Sequence, residues 1–344
     1  MKIIAYILSC FYALVVKIRN LLYNKGCIKH WVPPVKTICV GNLAVGGTGK
    51  TPHAIFILQA LRGEFSLAFL SRGYRRKTKG YIELTLENNA KQVGDEPSLV
   101  KRRFPHIPVA VCEKRKIGII TLIKQHPEID CILLDDAMQH RAVKPGKTLL
   151  LTTYDQLYID DTYLPHGSLR DSIAEAKRAD WIMITKCPPQ LTQQEQTRII
   201  ESLGTSSRQE VFFSSIIYGL PRPIDGDCQL KWSDIQSICL ITGIANPHHI
   251  EAHVSAHVTN VKTMRFADHH DFTQKDFISM QQQMATMPQG TILLTTEKDL
   301  MRMIDNPHLP SDLRSQIHYL PIETQLIKEQ DKFIKILKDY VREN

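Results

Sequence analysis

The sequence predicts an α/β protein in which helices flank a mostly parallel sheet. Apolar, β-branched runs suited to buried strands occur at 36–41, 65–70, 108–113, 129–136, 147–153 and 180–186. Segments of helix length, such as 53–62 and 115–125, lie between several of these runs. Near-continuous apolar strands that alternate with helices are typical of parallel sheets, because the connecting helices cover both faces.

A second, smaller α/β unit is predicted beyond residues 221–227, a stretch rich in turn-forming residues. Further strand candidates follow at 236–243, 261–266 and 291–297, and a charged helical tail begins at Glu323. The 344 residues, 43% of them hydrophobic, are enough for two cores. We predict an N-terminal membrane-associating helix at 1–30, a larger domain at 31–218 and a smaller domain at 219–344.

The cysteines and the net charge narrow the class of protein. Eight cysteines occur without a C-x-x-C pair, and several lie inside the apolar runs, which favours reduced core residues over a disulfide framework or a zinc site. The net charge of +8 suits phosphate, nucleic acid or an anionic membrane surface as a partner. No nucleic-acid recognition motif accompanies that charge, so we predict no nucleic-acid partner.

The N-terminal stretch 3–16 is apolar and is followed by Lys17, Arg19, Lys25 and Lys29. It is shorter than the roughly 20 residues that span a bilayer, and no small-x-small cleavage site follows it. A buried core helix and a helix lying in a membrane interface both remain open; we favour the interface, with the basic residues at the lipid headgroups. The positive flank then places the rest of the chain on the cytoplasmic side.

A glycine-rich loop, VGNLAVGGTGKTP at 40–52, lies between a predicted strand and a predicted helix. This is the context of a P-loop, in which backbone N–H groups and a helix N-terminus surround a polyphosphate. The strict pattern G-x-x-x-x-G-K-[ST] fails only at Ala44. Lys50 is expected to reach the β- and γ-phosphates of ATP, and Thr51 to bind Mg²⁺. The predicted nucleotide-binding residues are Gly46, Gly47, Thr48, Gly49, Lys50 and Thr51.

An apolar strand that ends in two carboxylates, CILLDD at 131–136, fits the P-loop. Asp135 and Asp136 are predicted to hold Mg²⁺ beside that loop, since the carboxyl ends of parallel strands meet at one edge of a sheet. Gln139 and His140 follow directly, and we predict that they contact the substrate or the groups around the metal. The domain at 31–218 is therefore predicted to be a P-loop nucleotide-binding domain.

These motifs occur together in one known family. In this chain VGNLAVGGTGKTP, SRGYRR, VGDEP, DDAMQH, LPHGSLRD, ITGIANP, DHHDF and TTEKD appear in the order found in the tetraacyldisaccharide 4′-kinases of lipid A biosynthesis. The sequence therefore resembles that family over 36–300, and the family's loop also tends to lack the first glycine of the strict pattern. Ala137, Met138 and Asp171 depart from the residues usual in the family, but none of these departures removes a charge.

The resemblance implies an ATP-dependent kinase that phosphorylates the 4′-hydroxyl of tetraacyldisaccharide 1-phosphate, a lipid, to give lipid IVA. The domain at 31–218 is then the P-loop kinase domain. It implies ATP and Mg²⁺ as cofactors. The implied partners are the lipid substrate and an anionic membrane surface, and no stable protein partner is inferred. An enzyme with such a substrate is expected at the cytoplasmic face of the inner membrane, as a monotopic or peripheral protein with an interfacial helix.

By the same resemblance, Asp95 of VGDEP matches the family's catalytic aspartate, and His269 of DHHDF matches a histidine from the second domain. Lys50 is the third predicted catalytic residue, as the P-loop lysine. An Asp–His pair can share the proton of the acceptor hydroxyl, and closure of the two units would assemble it. From the residues alone, Asp95 is better explained as a helix N-cap before Pro97. A metal site at His269 and His270 is disfavoured, because adjacent histidines on an extended segment point to opposite faces.

Three further features carry weaker expectations. The basic run 71–81 is predicted to bind substrate phosphate, ATP phosphates or the membrane surface through Arg72 and Tyr74, with a solvated loop as the alternative. Arg170 is predicted to bind substrate and neutralise phosphate charge, with a surface ion pair as the alternative. The TTEKD stretch at 295–299 receives no role, since a nucleotide contact and a helix N-cap explain it equally well.

The competing function is a membrane-associated P-loop ATPase that uses hydrolysis as a conformational switch. Its loop and paired aspartates would look much the same, and ATP hydrolysis without an acceptor lipid would support it. A GTPase is disfavoured, because ITKCP at 184–188 lacks the aspartate that reads guanine. A non-catalytic nucleotide-gated scaffold is disfavoured by the retained Lys50, Thr51 and paired aspartates.

Overall fold

The computed structural model describes residues 2–226 and 228–343. Met1, Asp227 and Asn344 lie outside the described residues, and with them the last residue of the turn-rich stretch and both ends of the predicted domain ranges. Two sheets form within the described part of the chain, one of nine strands and one of five.

Strands and helices alternate through most of the described chain. The strands are β1 (Lys36–Asn42), β2 (Leu67–Ser71), β3 (Ile82–Glu83), β4 (Val109–Val111), β5 (Cys131–Asp135), β6 (Lys147–Thr153), β7 (Trp181–Thr185), β8 (Glu210–Tyr218), β9 (Arg222–Pro223), β10 (Ser237–Thr242), β11 (Asn260–Arg265), β12 (Ile292–Thr296), β13 (Ile317–Leu320) and β14 (Ile322–Leu326). The α-helices are α1 (Lys2–Asn24), α2 (Lys50–Leu61), α3 (Ala90–Val93), α4 (Asp95–Arg103), α5 (Arg115–Gln125), α6 (Gln193–Leu203), α7 (His248–His257), α8 (Gln274–Ala285), α9 (Glu297–Met303), α10 (Ser311–Arg314) and α11 (Gln330–Arg342). Short 3₁₀ helices occur at Tyr158–Asp160, Ile173–Arg178 and Trp232–Asp234.

Strand β1 lies in the middle of the larger sheet, whose order is β14-β8-β7-β6-β1-β5-β2-β4-β3. The strands from β8 to β4 in that order pair in parallel, and the edge strands β14 and β3 are antiparallel to their neighbours. Every residue of β1 after Lys36 is buried, as expected of a central strand with both faces covered. The predicted α/β class with a mostly parallel sheet is therefore confirmed, and the strands converge at one carboxyl edge.

The smaller sheet has the order β11-β10-β12-β13-β9, and the first four of these strands are parallel. The predicted strands at 236–243, 261–266 and 291–297 correspond to β10, β11 and β12. Helix α9, which begins directly after β12, packs against α4 of the larger unit. Lys298 binds Glu96 at 2.9 Å across this contact, and Arg102 binds Asp305 at 2.6 Å. The carboxyl edge of the smaller sheet therefore faces the start of α4.

The chain returns to the larger sheet after β13. Strand β14 pairs antiparallel with β8, and α11 then covers the sheet next to α2. The fully buried ring of Phe333 packs against Phe56, Trp181 and Phe212. We therefore propose that 322–343 belong with the larger domain rather than with the smaller domain predicted at 219–344. The sequence did not show this, because one short strand and one amphipathic helix fit the edge of either sheet.

Helix α1 turns most of its apolar side chains away from the protein, with the buried Val16 as an exception. Its exposed apolar residues are Ile3, Ile4, Tyr6, Ile7, Leu8, Phe11, Leu14, Val15, Ile18, Leu21 and Leu22. The face that contacts the protein carries polar groups, such as the buried Ser9 and Asn20. A core helix would show the opposite pattern, so the buried-core alternative does not fit. The helix also extends beyond the predicted apolar stretch 3–16, and by length and composition alone its Ile3–Asn24 segment could cross a membrane.

Candidate active site

The glycine-rich loop connects β1 to α2. Gly46 and Gly49 adopt φ angles of 113° and 88°, which other residues rarely adopt. Two hydrogen bonds of 2.9 Å hold the loop: Asn42 Nδ2 donates to Thr48 Oγ1, and Thr185 Oγ1 at the end of β7 donates to the Thr48 carbonyl oxygen. The loop and the free N–H groups that start α2 form a concave site for an anion. The predicted residues Gly46, Gly47, Thr48, Gly49, Lys50 and Thr51 all lie in this loop or in the first turn of α2.

Two cations converge beside this loop. Lys50 Nζ lies 3.8 Å from Asp136 Oδ2 and donates to Asn42 Oδ1 at 3.3 Å. Arg170 binds the same two residues, with Nη1 donating to Asp136 Oδ2 at 3.0 Å. Burial raises the pKa of Asp136, but the charges of Lys50 and Arg170 outweigh it and lower the pKa below its usual value. The pair places positive charge where phosphates would enter, and Arg170 is not a surface ion pair.

Asp135 ends β5 opposite Val40 of β1. Ser71 Oγ, at the end of β2, donates to Asp135 Oδ2 at 2.9 Å, whereas the buried Oδ1 has no hydrogen-bond partner among the residues that the structure describes. Burial, together with Glu96 and Asp136, raises the pKa of Asp135 to about 7. An unpartnered carboxylate oxygen beside an anion site fits a hard divalent cation such as Mg²⁺, whose charge would favour the ionised form.

The loop after β5 contacts the end of β1, next to the glycine-rich loop. Gln139 Nε2 donates to the Asn42 carbonyl oxygen at 2.8 Å. Burial lowers the pKa of His140 to about 4, assisted by the charges of Arg115 and Arg72, so the ring is neutral at pH 7. Both residues lie at the carboxyl edge of the sheet, where the sequence predicted them.

Asp95 and His269 come together from the two units. His269 Nδ1 lies 3.0 Å from Asp95 Oδ2, and Asp95 is 6% exposed. Gly94, not Asp95, is the N-cap of α4, so the N-cap alternative does not fit. His269 and His270 bind different carboxylates, since His270 Nε2 lies 2.9 Å from Asp276 Oδ2. The predicted pair is therefore present without any further closure of the two units.

Charges from the smaller unit surround this pair. Lys298 Nζ lies 4.0 Å and Arg302 Nε 3.8 Å from Asp95 Oδ2. Burial raises the pKa of Asp95, but the hydrogen bond from His269 and the charges of Lys298 and Arg302 lower it to about 2. Asp95 is therefore ionised throughout the physiological range of pH.

A cavity of about 220 Å³ opens next to Asp95 and His269. The Tyr74 ring lies on one side, 5.6 Å from the His269 ring, and Arg75, Lys77 and Lys91 add positive charge to the lining. Arg72 is exposed on the adjoining loop. A Cβ atom on Gly94, directly before Asp95, would lie 3.4 Å from Gly73 Cα, and Ser71, two residues before Gly73, binds Asp135, so the cavity adjoins the phosphate site.

Sequence reasoning missed several residues of this site. Lys298 and Arg302 belong to the helix that starts in the TTEKD stretch, whose position after a parallel strand was the available signal. Arg115 Nη2 donates to the Asp135 carbonyl oxygen at 3.1 Å, but a lone arginine at a helix start gave no signal. Lys186 follows Thr185 at the end of β7. Its Nζ lies 3.9 Å from the point that a Cβ atom on Gly47 would occupy, so it is close to the glycine-rich loop. The ITKCP stretch that contains it was considered only as a guanine-reading motif.

Comparisons with known proteins give matches over nearly the whole chain. The family model described as tetraacyldisaccharide-1-P 4′-kinase, LpxK, matches residues 1–342. A tetraacyldisaccharide 4′-kinase of Bacteroides fragilis (strain YCH46) is 40% identical, over 98% of this chain and 92% of that protein. A tetraacyldisaccharide 4′-kinase of Flavobacterium johnsoniae is 39% identical, over 98% of this chain and 96% of that protein.

A solved structure extends the likeness to the fold. The crystal structure of LpxK from Aquifex aeolicus in complex with ATP matches with a TM-score of 0.75 at 26% identity, over 97% of each chain. The resemblance predicted from the motifs is thus confirmed over nearly the whole chain. With its P-loop, its paired aspartates and these matches, the chain belongs to the LpxK family of tetraacyldisaccharide-1-P 4′-kinases.

Proposed function

We propose that this chain transfers the γ-phosphoryl group of ATP to the 4′-hydroxyl of tetraacyldisaccharide 1-phosphate, giving lipid IVA. It is an ATP-dependent kinase of lipid A biosynthesis by its family. The observation that supports the site most directly is the adjacency of two charged clusters: Lys50 and Arg170 at the P-loop, and Asp95 with His269 at the neighbouring cavity. One cluster suits the donor phosphates and the other suits the acceptor hydroxyl.

The residues around the P-loop form the donor side of the site, where the negative charge of the ATP phosphates is neutralised. The P-loop N–H groups and Lys50 bind the phosphates, and Arg170 adds a second cation that is already ordered by Asp136. Mg²⁺ held by Thr51, Asp135 and Asp136 would polarise the phosphoryl oxygens when bound. Gln139 and His140, beside the same strand end, are proposed to contact the substrates through uncharged hydrogen bonds.

Asp95 and His269 form the acceptor side of the site, where the proton of the 4′-hydroxyl is removed. As the bond between O4′ and the γ-phosphorus forms and the bond to the bridging oxygen of ADP breaks, the hydroxyl proton passes to Asp95. The carboxylate is a weak base with a pKa of about 2, so transfer is expected late, when the hydroxyl oxygen is already bonding to phosphorus. His269 holds the carboxylate in place through Asp95 Oδ2 and can take a share of the proton.

The lipid substrate explains the surfaces around the site. Tyr74 and the basic residues of the cavity are proposed to hold the phosphorylated disaccharide, with Arg72 beside them. The exposed apolar face of α1 is proposed to lie in the membrane interface, where the acyl chains of the substrate are anchored. We place the enzyme at the cytoplasmic face of the inner membrane, where ATP is supplied.

Changing Lys298 to methionine tests the charge around Asp95. Loss of a cation 4.0 Å from the carboxylate raises the pKa of Asp95, by about 1 unit. The titration of the Asp95 carboxyl carbon, followed by ¹³C NMR and assigned with Asp95→Asn, measures this shift apart from the higher pKa of Asp135. The exposed Lys275, on α8, supplies the control variant Lys275→Met. Coincident Asp95 titration curves in Lys298→Met and wild type would show that Lys298 does not tune the base.

The apolar face of α1 is tested by the double variant Ile7→Ser/Phe11→Ser, at residues that are 61% and 66% exposed. Burying each side chain in lipid is worth about 1.5–3 kcal/mol, so partition onto anionic phospholipid vesicles should fall at least about 100-fold. Vesicle sedimentation measures the partition. The control is Ile217→Ser/Ile278→Ser, which removes two exposed isoleucines elsewhere. Equal partition of the two double variants would show that the apolar face of α1 does not contact the membrane.

Product analysis tests the proposed reaction. The enzyme is incubated with Mg-ATP and tetraacyldisaccharide 1-phosphate in detergent micelles, and the lipid is examined by ³¹P NMR. We expect a second phosphate monoester, on the 4′-oxygen. Inorganic phosphate as the sole product, formed equally without lipid, would favour the switch ATPase instead.

A further inference from the structure

Helix α1 is joined to the active site through one buried carboxylate. Asp171 is 0% exposed; Asn20 Nδ2 donates to it at 2.7 Å and Arg19 Nη2 at 3.0 Å. The N–H of Ser172 donates to the same carboxylate at 2.8 Å. A carboxylate removed from water is stable only when such donors replace its hydration. These contacts therefore tie α1 to the loop that carries Asp171.

Arg170, the residue before Asp171, is held between α1 and the P-loop. Tyr12 OH donates to the Arg170 carbonyl oxygen at 3.1 Å. The Arg170 N–H donates to the Leu43 carbonyl oxygen at 2.8 Å, and Leu43 is the first residue after β1. The backbone of Arg170 is thus fixed by α1 on one side and by the start of the glycine loop on the other.

The side chain of Arg170 completes the connection. It binds Asp136 and Asn42, which also contact Lys50. Within residues 2–226 and 228–343 its buried Nε has no hydrogen-bond partner, so the guanidinium keeps a donor for a phosphate oxygen. A continuous set of contacts therefore runs from α1 through Asp171 and Arg170 to the carboxylate beside the P-loop.

We propose that Tyr12, Arg19 and Asn20 of α1 are positioning residues for Arg170, so that the helix that meets the lipid surface also sets the geometry of the phosphate site. The inference rests on the proposed role of Arg170 in phosphoryl transfer. Misplacement of a substrate-orienting group by about 1 Å can cost roughly 10²-fold in rate. An enzyme with α1 loosened therefore loses kcat in detergent, where binding to a bilayer plays no part.

A double-mutant cycle between Asn20 and Arg170 tests this coupling. We expect Asn20→Ala to lower kcat about tenfold in detergent micelles, with KM for the lipid and partition onto vesicles unchanged. In an Arg170→Ala background, the same change should lower kcat less than about twofold, because residues that act through one another are not additive. An equal loss in both backgrounds would overturn the proposal.

Further variants separate positioning from folding. Tyr12→Phe removes one hydroxyl and should give the same non-additive pattern with a smaller loss, so the test survives if Asn20→Ala fails to fold. Arg19→Lys should keep more activity than Arg19→Ala. The exposed Cys10 on the same helix gives the control Cys10→Ala, expected to match wild type.

The outcomes also separate this inference from the proposed function. If Arg170→Ala has the kcat of wild type, the role of Arg170 in transfer fails, and the inference fails with it. If Arg170→Ala is impaired but the cycle is additive, α1 is only an anchor and the proposed function stands.

Discussion

Asp95→Asn is expected to lower kcat by roughly 10²–10⁴-fold, with little change in KM for ATP. Asparagine keeps the shape of the side chain but cannot accept the proton of the acceptor hydroxyl. Its amide also removes the negative charge that His269, Lys298 and Arg302 surround, so the cations lose their common partner. The measurement is steady-state transfer to the lipid in detergent micelles, at saturating ATP and at varied ATP.

The chain offers a matched control for this variant. Asp276 binds His270 at 2.9 Å, much as Asp95 binds His269 at 3.0 Å, but it lies within the smaller unit away from the P-loop. Asp276→Asn should therefore keep kcat within about twofold of wild type. Retention of more than half of wild-type kcat by Asp95→Asn would remove Asp95 as the base.

Lys50→Ala is expected to lower kcat by about 10²–10³-fold, and kcat/KM for ATP by more. The ammonium group stabilises negative charge on the transferring phosphoryl group, and its loss leaves Arg170 as the neighbouring cation. Measurement of ATP binding by calorimetry, beside the kinase assay, divides the loss between ground-state binding and the transition state.

The control for Lys50 is a lysine at the amino end of a strand in the same sheet, opposite the carboxyl ends that meet at the P-loop. Lys147 begins β6 and binds Asp180 at 2.9 Å, remote from the carboxyl edge. Lys147→Ala should leave kcat and ATP binding near the wild-type values. Comparable activity of Lys50→Ala and Lys147→Ala would contradict the P-loop assignment.

Local patterns were enough to predict the centre of the larger sheet and the location of the glycine-rich loop next to the strand that ends at Asp135. The glycine loop at 40–52 depends on backbone conformations that glycine favours, and the strand that ends at Asp135 is apolar throughout. Parallel pairing then places their ends together without further information. The pairing of Asp95 with His269, 174 residues apart, came from the family resemblance and not from the residues alone.

Contacts between segments that are distant along the chain could not be predicted from the sequence. The return of β14 to the larger sheet depends on which edge is free after folding, which no local pattern encodes. Lys298 Nζ lies 4.0 Å from Asp95 Oδ2 of the other unit, and this contact could not be predicted from its position in TTEKD. Ser9 lies inside the apolar stretch 3–16 and Asn20 lies in the basic flank after it, so the polar face that they share on α1 could not be predicted from local composition.

We propose that Asp95 and the P-loop act in one transfer from ATP to the lipid. This is tested by following γ-labelled phosphate from Mg-ATP into tetraacyldisaccharide 1-phosphate and into free phosphate, for wild type and Asp95→Asn side by side. We expect wild type to label the lipid and Asp95→Asn, although it still binds ATP, to leave the lipid almost unlabelled. Labelled lipid formed at equal rates by both enzymes would show that Asp95 takes no part in the transfer.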